Sequence, residues 1–227
     1  MLVFLDDAVA AEIRNTIGHE NRGFFIPTNE RTFRDLPFPP YVSLEIRRRS
    51  GSYSFEFPFT GMVYIHGDVC DEEPALVMTL AHELRHFVQY AKTQTTWAWN
   101  TILMRCGNLI NSEGLSWCDI PIEVEARMKA KQVHQDIFGI DETERYIVRR
   151  QECATTPRDV LDWKFIQGLD PLVSYDCDLE TRLIFQRLCR NEDYCSEIKR
   201  NLRLSLGNPE FDCLVLEELI GNPDKKD

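Results

Sequence analysis

The chain has 227 residues, 43% of them hydrophobic, and carries 26 Lys and Arg against 37 Asp and Glu for a formal net charge of −11. That length suits one domain, or one domain with a helical extension, and no apolar run approaches the ~20 residues of a membrane-spanning helix. The acidic balance excludes general nucleic-acid binding, which needs a basic surface, and Arg47-Arg48-Arg49 reads as a solvated strand end rather than a phosphate site.

The start, Met1 to Leu5, is apolar but is broken at once by Asp6-Asp7. It has neither the basic start nor the long apolar stretch of a signal peptide, so the expected location is the cytoplasm. Residues 6–18 read as a first helix. Extended pieces follow. Phe24-Phe25-Ile26 is short, while 41–48 and 53–59 alternate and are joined at Ser50-Gly51-Ser52 as a hairpin. Residues 61–66 read as a further strand, ending at His66.

Next comes a helix. Asp71 can cap it, Glu72 and Glu73 suit its first turn and Pro74 is tolerated there. Nothing breaks a helix over 75–91. Within it lies His82-Glu83-Leu84-Arg85-His86, an H-E-x-x-H motif. Residues four apart share a helix face, so His82 and His86 can reach one metal ion, and Glu83 sits where a carboxylate can take a proton from the attacking water. On a helical wheel, Leu76, Val77, Leu80, Leu84, Phe87 and Val88 form an apolar arc with Ala81 and Ala91. His82, Glu83, His86 and Tyr90 lie in the arc beside it, at the border between core and cleft.

A hydrolytic zinc site takes three protein ligands and keeps a fourth position open. A third His six residues after the second is excluded, because Lys92 stands there. A Glu on a later helix is the other option. Asp119 and Pro121 look like a helix start and Gly139 like its stop, with Ile122, Ala126, Ala130, Val133 and Ile137 as an apolar stripe. Glu123 lies close to that stripe and Glu125 further round, so Glu123 is the preferred ligand. Glu125 and Glu113 remain alternatives.

The succession of H-E-L-x-H and then E-x-E-A on a second helix, as His82 to His86 and Glu123 to Ala126, resembles the gluzincin-type zinc metallopeptidases. It is most similar to minimal members such as the ImmA/IrrE-like peptidases. The resemblance covers about 61–139. It implies a zinc ion held by His82, His86 and Glu123, with Glu83 as general base for peptide-bond hydrolysis. It also implies an α+β fold in which a small antiparallel sheet packs on the motif helix and a second ligand helix. Such families often place Asp or Asn four residues after the ligand Glu, to orient a zinc-bound His. Here that position is Arg127, one turn from Glu123 and able to pair with it. His66 reads as an edge-strand side chain, with a place flanking the cleft as the alternative. His134, about 16 Å along the helix from Glu123, reads as a surface or partner-facing histidine.

Between the two key helices, Thr96 can cap a helix running to Ile110, and Trp97, Trp99 and Trp117 read as core packing in preference to a lid. Beyond Gly139 the chain is charged and helical, with boundaries at Thr156-Pro157, Asn208-Pro209 and Gly221. The domain reading is a peptidase-like core over 1–140 and a helical extension over 141–227, packed on the core. The eight cysteines form no C-x-x-C pair and are expected to be reduced. The expected partner is a protein or peptide substrate, with neither nucleic acid nor membrane. Two alternatives stand beside the peptidase: a catalytically degenerate zinc-binding regulatory module, and a zinc hydrolase of a non-peptide amide.

Overall fold

The computed structural model describes residues 23–27, 41–48, 51–58, 61–112 and 114–206, together with positions 11 and 15. Ala11 and Asn15 are helical, inside the expected first helix; the rest of that helix, Glu113, and the boundaries expected at Asn208-Pro209 and Gly221 lie outside the described residues. The class is α+β: mostly helix, with short antiparallel strand pairs.

Two compact units divide at Phe87 and Val88. In the first, β1 (Gly23–Pro27) pairs antiparallel with β4 (Gly61–Ile65), placing Phe25 opposite Val63. β2 (Tyr41–Arg48) pairs antiparallel with β3 (Gly51–Pro58), and Arg48 lies opposite Gly51. Gly51 and Ser52, expected in the link between the two strands, are instead the first residues of β3. Among the described residues the strands form two separate two-stranded ladders. A short helical turn, α1 (Gly67–Cys70), leads into α2 (Glu73–Lys92). Glu73 at the start and Lys92 at the end of α2 complement its dipole. The Phe25 ring meets Phe87 edge to face at 5.8 Å, which seats β1 on α2.

Helix α2 is continuous across the division. The second unit continues with α3 (Gln94–Arg105), α4 (Gly107–Ser112), a 3-10 turn (Trp117–Asp119), α5 (Pro121–Phe138), α6 (Ile140–Glu152), α7 (Pro157–Gly168), α8 (Cys177–Leu188) and α9 (Glu192–Leu206). The expected single helix from Thr96 to Ile110 is broken at Cys106, a turn residue between α3 and α4. Its core gathers Trp99, Leu103, Ile110, Ile122, Phe185 and Leu188. Trp97 packs against that core, whereas Trp117 is exposed. The packing role expected of the tryptophans thus describes Trp99 and Trp97.

Helix α5 starts where the sequence places it. Ser116 and Asp119 form a capping box on the turn before it, Pro121 occupies the first turn, and Gly139 ends it at φ 87°, a conformation open to glycine. Helix α7 begins at the expected Thr156-Pro157 boundary, with the Thr156 hydroxyl accepting from the Asp159 amide. Lys131, buried on α5, donates to the carbonyls of Gln167 (2.9 Å) and Leu169 (3.0 Å), which closes the last turn of α7. It also pairs with Glu144 of α6 at 2.9 Å. None of the seven described cysteines is in a disulfide. Among the described residues, no helix is long and apolar enough to cross a membrane.

Candidate metal centre

The motif is helical throughout, so the i, i+4 geometry holds. His82 Nε2 and His86 Nε2 lie 3.0 Å apart, with the two rings edge to face at 90°. Two imidazoles sharing a tetrahedral zinc, each at about 2.0–2.1 Å, would hold their nitrogens about 3.3 Å apart. The observed pair is close to that spacing and turned toward one point.

The buried residues of α2 are not those of its apolar arc. Ala75, Met78, Glu83, His86 and Gln89 are buried, while Leu84 is 46% exposed. Polar side chains on this face are buried because they have partners. Gln89 Nε2 donates to the Ile122 carbonyl (3.0 Å) and to Glu125 Oε2 (2.6 Å). That pair of bonds ties the last turns of α2 to the first turn of α5. Ala126, fully buried on α5, adds little bulk there.

The two glutamates of α5 separate clearly. Glu125 is held by Gln89. Glu123 is 5% exposed, and the donor atoms of His82, His86 and Glu123 all lie within 4.8 Å of one another. Among the described residues this is the group of three that could hold a metal ion. Two imidazoles and one carboxylate form a donor set that zinc accepts with a fourth position left open, so the residues present fit the ion.

Arg127 does pair with Glu123. Its Nη1 donates to Glu123 Oε2 at 2.8 Å, with both side chains buried. The other arm of the guanidinium, Nη2, donates to Asp162 Oδ1 of α7 at 3.0 Å. Burial works against the Arg127 charge, but Glu123 and Asp162 outweigh it and raise its pKa. Cys118 Sγ lies 2.7 Å from the same Asp162 oxygen. Burial, helped by that contact, pushes the Cys118 thiol up to about 12, so it remains a protonated donor. Asp162 had no signal in the sequence, because its partners lie 35 and 44 residues away.

Glu83, the expected base, is buried on the turn between the two histidines. Gly23 of β1 lies against it: a Cβ there would stand 2.9 Å from Glu83 Cγ and 2.7 Å from Thr79 Cγ2. His66 is partly buried at the end of β4, where its carbonyl accepts from the Val69 amide at 3.0 Å. Tyr90 packs edge-on against Trp97 at 5.9 Å.

His134 is not a surface residue. It is fully buried, stacked on Tyr146 at 5.0 Å and beside Phe138 at 4.6 Å. Its polar signal misleads because α6 folds back to cover it. Nδ1 lies 2.8 Å from the Thr143 hydroxyl, which itself donates to the Gly139 carbonyl. The hydroxyl has one proton, so Nδ1 carries the hydrogen of that bond and Nε2 keeps a bare lone pair. Burial lowers the His134 pKa below the usual 6.5, with Glu142 as a smaller opposing charge. Comparison of this chain with protein-family models, with curated proteins and with solved structures finds no match.

Proposed function

We propose that this chain is a zinc-dependent metallopeptidase, with His82, His86 and Glu123 as the metal ligands and Glu83 as the general base. The supporting observation is the approach of those three donors to within 4.8 Å of one another, with buried Glu83 inside the same motif. Zinc in such a site supplies Lewis acidity, lowering the pKa of water and polarising the substrate carbonyl. The chain's own residues do the rest. His82 and His86 bind through neutral Nε2 atoms, and Glu123 contributes a negative charge. The Glu83 carboxylate takes the proton of the attacking water and returns it to the leaving amine as the C–N bond breaks.

In this account residues 1–140 form the peptidase-like core and 141–227 a helical extension packed on it. The small antiparallel strands pack on the motif helix. β4 pairs with β1 along one edge, and its other edge is assigned to an extended peptide substrate adding as a strand. The substrate class is unstructured protein or peptide, and the setting is the cytoplasm.

The Arg127 pair favours a second reading. An arginine on Glu123 draws on the charge of the ligand itself, as suits a zinc-binding regulatory module without turnover. One experiment separates the two. The zinc-loaded protein is incubated with an unfolded polypeptide, alongside Glu83→Gln. A peptidase cleaves, and the variant loses about 10²–10⁴-fold in rate while keeping its zinc. Zinc held equally by both, with no cleavage by either, selects the regulatory module.

A further inference from the structure

Helix α7 lies in the part of the chain for which the sequence offers no motif, yet one of its side chains is wired to the metal centre. We propose that Asp162, acting through Arg127, is a positioning residue for the ligand carboxylate of Glu123. The inference rests on the metal-site reading and assigns the C-terminal helical region a part in building that site.

Three observations carry it. First, the guanidinium of Arg127 is split between two carboxylates, Glu123 Oε2 at 2.8 Å and Asp162 Oδ1 at 3.0 Å. A planar fork held at both ends fixes the direction of each bond, which the point charge of a lysine cannot do. Second, charge balance requires the second carboxylate. Arg127 alone would neutralise Glu123 and weaken its attraction for a divalent cation. With Asp162 the three side chains keep one net negative charge, so Glu123 remains an anionic donor. Third, Asp162 is itself held in place. Cys118 approaches the same oxygen, and Lys131, one turn beyond Arg127 on α5, binds the carbonyls of Gln167 and Leu169 at the end of α7. Asp162 is therefore presented from a helix fastened to α5 at two levels. Partners of this kind fix the orientation of ligating side chains and tune their affinity.

The test uses the full-length chain loaded with zinc, and with Co²⁺ for its visible absorption. Zinc affinity is measured by chelator competition for wild type, Asp162→Asn, Asp162→Glu and the exposed control Asp136→Asn. Asp162→Asn keeps the shape and removes the charge. The expected result is a loss of zinc affinity of roughly 10- to 100-fold, with an altered Co²⁺ spectrum. Asp162→Glu should recover part of both, and the control should match wild type. Thermal unfolding of the metal-free proteins separates a folding defect from a change at the site. If Asp162→Asn does not fold, Asp162→Ala, which also removes the carboxylate but favours the helix, decides: weaker zinc binding with a changed Co²⁺ spectrum supports the proposal, and wild-type affinity and spectrum overturn it. Wild-type affinity and spectrum in a folded Asp162→Asn overturn this inference alone. A wild-type chain that binds neither metal overturns the metal-site reading along with it.

Discussion

Gln89 on α2 donates to the backbone carbonyl of Ile122 at the start of α5, at 3.0 Å and out of contact with solvent. The same amide nitrogen reaches Glu125 at 2.6 Å. This one side chain ties the last turn of α2 to the first turn of α5. Replacing Gln89 by Leu keeps the volume and removes the donor. The expected cost is about 1–3 kcal/mol, the penalty for leaving a buried polar partner without its bond. Urea unfolding of the metal-free protein measures it, and a cost below a few tenths of a kcal/mol would show that the bond does not hold the helices together.

Gly23 gives a prediction of opposite sign to Gly107. A methyl at position 23 would meet Thr79 Cγ2 at 2.7 Å and Glu83 Cγ at 2.9 Å, so Gly23→Ala must move the Glu83 side chain or the strand. Overpacking of this kind costs about 1–3 kcal/mol. Cleavage should fall beyond what that loss of stability explains, because Glu83 is displaced. At Gly107, at the start of α4, a Cβ meets nothing within 4 Å. Gly107→Ala should stabilise by about 0.4–1 kcal/mol through the unfolded chain. Thermal melts of the two variants beside wild type check both signs.

His134 predicts a pH dependence. Its folded pKa lies below the usual 6.5 because the ring is buried, and among the described residues no acceptor meets the Nε2 proton that the charged ring would carry. The facing groups are Thr143, Tyr146, Phe138 and Glu142, and only Glu142 favours the charged ring. Between the folded and unfolded pKa values the unfolded chain binds more protons, so stability rises with pH there. The contribution is complete above about pH 6.5 and is lost as pH falls from there toward the folded pKa. His134→Asn should flatten this part of the curve. Denaturant unfolding from pH 7.5 to 5 would show it, and an unchanged slope in the variant would assign the dependence to other groups.

Local signals carried the sequence reading where they were sufficient. The histidines of the motif, the Pro121 start and Gly139 stop of α5, and the preference for Glu123 over Glu125 follow from helical periodicity and end signals alone. Relationships across long stretches of chain were not legible. The pairing of β1 with β4 joins residues 34 to 42 apart, and nothing in either strand names its partner. Gln89 and Asp162 are ordinary polar residues until the helices they bridge are in place. His134 and Leu84 failed in opposite directions. A wheel ranks side chains by polarity, whereas burial is decided by which neighbour lies across that face and whether polar groups find partners there.

The central claim is the ligand set, and the direct measurement is metal content by mass spectrometry. Wild type, Glu123→Ala, Glu125→Ala and Glu113→Ala would be purified side by side and supplied with zinc. The account predicts one zinc per chain in wild type, Glu125→Ala and Glu113→Ala, and its loss in Glu123→Ala. A wild-type chain that takes up no zinc, or a folded Glu123→Ala that retains it, would contradict the account.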